Sequence, residues 1–241
     1  MINLQSVQQA SLQHGIKCMV YGRAGLGKTV LTATCPSPVL ISAESGTLSL
    51  RKNNLEKLFG VGNPTIAYDF PVIEIRTIDE LIEAEVWART SHEAGQFQTV
   101  AIDSVSEIAE VVLSNAKAQV KDPRQAYGEL IDKMQKTIKA FRDLSGKHVY
   151  MSAKEERIKD EATNTTLNGP AMPGSKLGSQ VPYLFDEVFQ LSMATDPNSG
   201  VYRFLRTQPD FSNQAKDRSG VLAELEYPHL GDIFNKIMSS T

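Results

Sequence analysis

Gly22-Arg23-Ala24-Gly25-Leu26-Gly27-Lys28-Thr29 is a complete G-x-x-x-x-G-K-[ST] stretch, and its reading decides the fold. Each element has a separate physical job. The glycines let backbone N–H groups close around an anion, Lys28 reaches the β- and γ-phosphates of a nucleotide, and the Thr29 hydroxyl ligates Mg²⁺. Arg23, Ala24 and Leu26 complete the cradle. The flanks agree with that chemistry. Ile16 to Tyr21 is an apolar run suited to a buried strand, and Thr29 to Ala33 opens a helix whose N-terminal dipole faces the phosphates. ATP with Mg²⁺ is the ligand this stretch implies.

Working outward, 241 residues suit one large α/β domain, with a core of about residues 16–218. Hydrophobic residues make up 41% and charged residues 22%, which are ordinary values for a globular chain. No apolar run reaches the ~20 residues needed to cross a bilayer, and residues 1–15 are too polar for a secretory signal. Cys18 and Cys35 give neither a disulfide framework nor zinc spacing, so a reducing, cytoplasmic setting without membrane partners is expected. A net charge of −3 means that any nucleic-acid contact has to come from local basic patches.

The rest of the pattern alternates strand and helix. Residues 3–14 predict a short N-terminal helix, and strands are expected at 39–43, 72–75, 99–103, 148–152, 187–193 and 202–207. Helical stripes run from about 79 to 90 and from 106 to 118, with a short terminal helix at 233–238. The clearest helix has Tyr127, Leu130, Ile131, Met134, Ile138 and Phe141 at three- and four-residue spacings. Residues 157–179 lack a period and read as a long loop. Strands alternating with helices predict a mainly parallel sheet covered on both faces, with ligands at the carboxyl ends of strands.

A second motif, Thr99-Val100-Ala101-Ile102-Asp103-Ser104, is an apolar strand ending in Asp, placed to hold Mg²⁺. AAA+ ATPases put a water-polarising Glu directly after that Asp, whereas Ser104 stands here, which sets the chain apart from the usual AAA+ arrangement. Hydrolysis still needs a carboxylate to orient or deprotonate water. Glu44, at the end of the strand after the phosphate loop, is the natural supplier, with Glu107 as runner-up.

With Leu40-Ile41-Ser42-Ala43-Glu44 and Ile102-Asp103-Ser104-Val105 in view, the chain resembles the phage-type RecA-like ATPases, similar to the Sak-type single-strand annealing proteins of the RecA/RadA superfamily. The resemblance implies a catalytic Glu44 and a polar sensor of the γ-phosphate at Ser152 or Lys154. It implies a first DNA-binding loop with Lys121, Arg124 and Tyr127, and a second with Arg157, Lys159 and Lys176. It also implies that Lys216 and Arg218 project into a neighbour's ATP site. The function so implied is ATP-dependent, oligomeric binding of single-stranded DNA in recombination or annealing. Homo-oligomers, as filament or ring, are then partners, and a separate single-stranded-DNA-binding protein is admitted as another. A DNA motor and a regulatory NTPase with a protein client are the alternatives from other classes.

Overall fold

β1 (Lys17–Gly22) is buried along its whole length and shows how the sheet is built. Its alternate side chains serve two cores. Cys18 and Val20 pack with Leu31, Phe189 and Phe234 on one face, while Met19 and Tyr21 pack with Ile102, Val105 and Phe141 on the other. A strand covered on both faces needs a continuous apolar run, which residues 16–21 supply. The structure, a computed structural model, describes residues 4, 6, 14–44, 46–160, 165–198 and 200–240. The helix expected over residues 3–14 lies largely outside them.

The other strands are β2 (Pro38–Ser42), β3 (Val72–Glu74), β4 (Thr99–Asp103), β5 (His148–Asp160), β6 (Thr165–Pro170), β7 (Glu187–Asp196), β8 (Gly200–Arg206), β9 (Lys216–Asp217) and β10 (Leu225–Glu226). The sheet runs β10-β8-β7-β1-β5-β4-β2-β3, with β6 beside β5 and β9 beside β7. From β7 to β3 every neighbouring pair is parallel. β8, β10, β6 and β9 attach antiparallel. The helices are α1 (Lys28–Leu31), α2 (Lys52–Phe59), α3 (Ile78–Thr90), α4 (Val105–Gln119), α5 (Pro123–Arg142), α6 (Ser175–Gln180) and α7 (Leu230–Ser239). The larger core lies under α3 to α6, and the other under α1 and α7. The expected mainly parallel α/β sheet with helices on both faces is what the chain forms.

Three local expectations change, and one helix, α2, matches no expectation from the sequence. The helix after the phosphate loop is only α1, continued by a 3-10 turn over Thr32–Thr34. Thr34 Oγ1 donates to the Leu31 carbonyl at 2.7 Å, and Pro36 and Pro38 follow, so the turn tightens and stops. The stretch 121–127 is mostly the first turn of α5, because Asp122 caps its N-terminus and Pro123 occupies the first position. Residues 157–179 are not a long loop. β5 runs on to Asp160 and pairs with β6, and α6 follows. Finally, α2 carries one buried apolar residue, Leu55, too few for its period to show in the sequence.

Candidate active site at the phosphate loop

The loop leaves β1 at Gly22, where added bulk is excluded: a Cβ there would meet the Leu191 carbonyl oxygen at 2.6 Å. Gly25 and Gly27 hold φ of 79° and 103°, the left-handed region open to glycine. The loop lines a cleft of about 660 Å³ together with Glu44, Asp103, Lys154, Glu155 and Arg203. Lys28 Nζ folds back to donate to the Gly22 carbonyl at 2.7 Å and the Arg23 carbonyl at 3.1 Å. Burial pulls its pKa down, opposed by the charges of Asp103, Glu44 and Glu155. The start of α1 is pinned from beneath by Tyr150, whose hydroxyl donates to the Lys28 carbonyl at 2.7 Å.

The parallel register assembles the acidic half. β4 and β2 end side by side, with Ser42 opposite Asp103, and the Ala43 N–H donates to the Asp103 carbonyl at 2.8 Å. Asp103 is 4% exposed and accepts at both oxygens. Thr29 donates to Oδ2 at 2.6 Å, and Ser152 donates to Oδ1. These oxygen donors suit a hard cation such as Mg²⁺, which binds few protein groups and keeps water and phosphate as its remaining ligands. Among the described residues no cluster of three or more His, Cys, Asp or Glu offers a rival metal site.

Glu44 sits just past β2, exposed at the cleft, and its Oε1 accepts the Ser104 hydroxyl. Ser104 also accepts the Glu107 N–H at 3.3 Å as the cap of α4. One serine therefore ends the strand, starts the helix and holds the carboxylate. Glu107 is engaged elsewhere, by Lys154 at 2.8 Å, and Lys154 also meets Glu110 at 3.1 Å. Ser152, expected as a sensor, is fully buried, with its hydroxyl on Asp103; its neighbour Lys154 reaches the cleft.

The remaining candidates fall in three places. Lys121 and Arg124 are exposed around the α4–α5 turn, while Tyr127 lies under Lys117 Nζ, 5.4 Å from the ring centroid. Arg157 faces a polar strip shared with Arg23, Gln190 and Arg206. Lys159, Lys176 and Lys216 line a separate groove of about 620 Å³ that also holds Tyr183. Lys216 Nζ donates to the Phe185 carbonyl at 2.5 Å, and Arg218 pairs with Asp186 at 2.6 Å. β9 pairs with the first residues of β7, so both cations are remote from their own phosphate loop. Sequence reasoning missed Glu155 in the cleft, together with Ser49, Asn54 and Leu58 from the α2 region, and it grouped Arg203 with Arg206, Lys216 and Arg218 as a basic set near the carboxyl end of the core without placing it at this loop. No motif marks them, since each arrives on an element whose placement is purely tertiary.

No curated protein sequence matches the chain. Among solved structures, a KaiC-like protein from the hyperthermophilic archaeon Pyrococcus horikoshii is similar at 13% identity and a TM-score of 0.45, over 84% of each chain. Residues 14–219 match the AAA domain family AAA_24. Ser104 after Asp103 therefore does not set the chain outside an AAA family. With the phosphate loop, Asp103 and the parallel sheet enclosed in that match, the chain belongs to the AAA_24 family of AAA domains and carries a P-loop ATPase fold.

Proposed function

We propose that this protein hydrolyses ATP with Glu44 as general base and uses the nucleotide to control oligomeric binding of single-stranded DNA, in annealing or recombination. The observation that carries the reading is Glu44. It lines the phosphate-loop cleft, held by Ser104, beside the Thr29–Asp103 pair. The loop N–H groups and Lys28 bind the phosphates, and Glu44 orients water and accepts its proton. Mg²⁺ at Thr29 and Asp103 would neutralise charge on the transferring phosphoryl group. β5 supports the coupling to DNA. One continuous strand carries Ser152, on Asp103, and then Arg157 and Lys159 on the hairpin beyond. Lys216 and Arg218, remote from their own loop, suit contact with a neighbouring subunit's nucleotide.

The test pairs turnover with assembly. Lys28→Ala should abolish tight ATP binding. Glu44→Gln should keep ATP while losing at least about 100-fold in turnover, and should accumulate the assembled form on sedimentation. Full hydrolysis by Glu44→Gln would remove it as the base. ATPase rate and sedimentation with and without single-stranded DNA, followed by annealing and unwinding of labelled strands, address the client. Annealing without unwinding supports the proposal, unwinding makes the protein a motor, and indifference to DNA favours a protein client.

A further inference from the structure

The alternation of β8 places a cation over the phosphate loop that no motif announces. β8 pairs antiparallel with β7, setting Leu205 opposite Leu191 and Arg203 opposite Met193. Leu191 and Leu205 are buried in the same core as Leu31 of α1. Arg203, two residues before Leu205, projects to that same face of the sheet, beyond the edge of the core. β7 already abuts the loop, through the Leu191 carbonyl at Gly22. The next strand out therefore brings Arg203 across the loop, with Nη1 3.5 Å from the position a Cβ on Gly27 would take.

The surroundings of Arg203 differ from those of the nearby cations. Arg206 is held by Glu224 at 2.8 Å and Asp210 at 3.3 Å. Lys154 is held by Glu107 and Glu110. Arg203 has no hydrogen-bond or ion-pair partner among the described residues, yet it lines the cleft beside Lys28 and Thr29. A guanidinium offers five donors in a planar fork, the geometry that matches phosphate oxygens.

We propose that Arg203 binds the polyphosphate of a nucleoside triphosphate held in the loop of its own subunit. This rests on the reading of the loop as a nucleotide site, and it adds a cis cation to the pair at residues 216 and 218 that would act on a neighbour. The cleft is then closed over Gly27 by β8, an element outside the nucleotide-binding motifs.

The test uses the full chain at concentrations where sedimentation shows monomer, titrated with a fluorescent ribose-labelled ATP. Arg203→Gln should weaken binding about tenfold or more, and Arg203→Lys, which keeps the charge but not the fork, should restore part of it. Melting temperature should stay at the wild-type value for both, since no internal partner is lost. Lys28→Ala serves as the reference for loss of the site. Wild-type affinity in Arg203→Gln alongside lost binding in Lys28→Ala would overturn the inference and leave the nucleotide site standing. Wild-type affinity in Lys28→Ala would sink the nucleotide site and this inference together. A defect of Arg203→Gln confined to the assembled form would mean that Arg203 serves a neighbour, which also overturns it.

Discussion

At the scale of the residue, two acidic side chains show how burial and partners set their roles. Asp103 accepts a hydroxyl at each carboxylate oxygen. Glu187 is as deeply buried, but its Oε2 has no hydrogen-bond partner among the described residues, and burial together with the charge of Asp217 raises its pKa from 4.5 to about 8. The folded state thus holds a proton that the unfolded chain releases. Its contribution to stability is complete below pH 4.5 and is lost as pH rises to about 8. His148 acts in the opposite sense: burial lowers its pKa from 6.5 to about 4, so its stabilising contribution is lost as pH falls through that window. Glu187→Gln keeps an acceptor for the Ser219 N–H and removes the titration. Relative to the wild type it should gain on the order of 3 kcal/mol between pH 4.5 and pH 8, measured by urea unfolding at a series of pH values. Equal pH profiles for the two proteins would refute the assignment.

At the scale of the element, end signals matter as much as periods. α3 begins with a full capping box: the Thr77 side chain accepts the Glu80 N–H at 3.2 Å, and the Thr77 N–H donates to the Glu80 carboxylate at 3.1 Å. Thr77→Ala should cost about 1 kcal/mol and lower the melting temperature by roughly 2–4 °C, read by calorimetry. The β5–β6 hairpin extends from the end of the sheet that carries the phosphate loop, since Lys154 is already level with Gly22 and the strand continues to Asp160. If its cations meet DNA phosphates, replacing Arg157 and Lys159 by Ala should weaken single-strand binding. It should also reduce the slope of log affinity against log salt by about 1.4, with ATP affinity unchanged. An unaltered slope would assign these cations to the solvated surface.

At the scale of the whole molecule, the sheet separates two sets of charged groups. The phosphate loop, Asp103 and Glu44 gather at the carboxyl ends of the parallel strands, whereas Lys216 and Arg218 lie beside the opening residues of β7. A cation on that side acts on ATP only by crossing to another copy. Arg218→Ala and Lys216→Ala should each lower assembled ATPase about tenfold or more while leaving monomer ATP affinity intact. Mixing Arg218→Ala subunits with Glu44→Gln subunits should recover part of the activity, because some interfaces then combine an intact base with an intact cation. No recovery, or weakened binding in the monomer, would count against a shared site. No helix among the described residues is long and apolar enough to cross a membrane.

The sequence by itself determined the phosphate loop, the Asp at the end of β4, Glu44 as the carboxylate candidate and the parallel α/β alternation. Each of these is encoded in contiguous residues, either as a motif with fixed spacing or as a run of buried apolar side chains. It misread residues 157–179, because a hairpin that leaves the sheet has no core-facing period to display. It took 121–127 for a loop although Asp122-Pro123 is a helix start, a signal masked by the stronger stripe that follows from Tyr127. Tertiary structure alone decided that Ser152 turns to Asp103 and that Glu107 is taken by Lys154. It alone brought Arg203 over Gly27. Those outcomes depend on which strands become neighbours and in what register, a property of pairings between residues far apart in the chain, from about fifty (Asp103 and Ser152) to well over a hundred (Cys18 and Glu187), that no local pattern records.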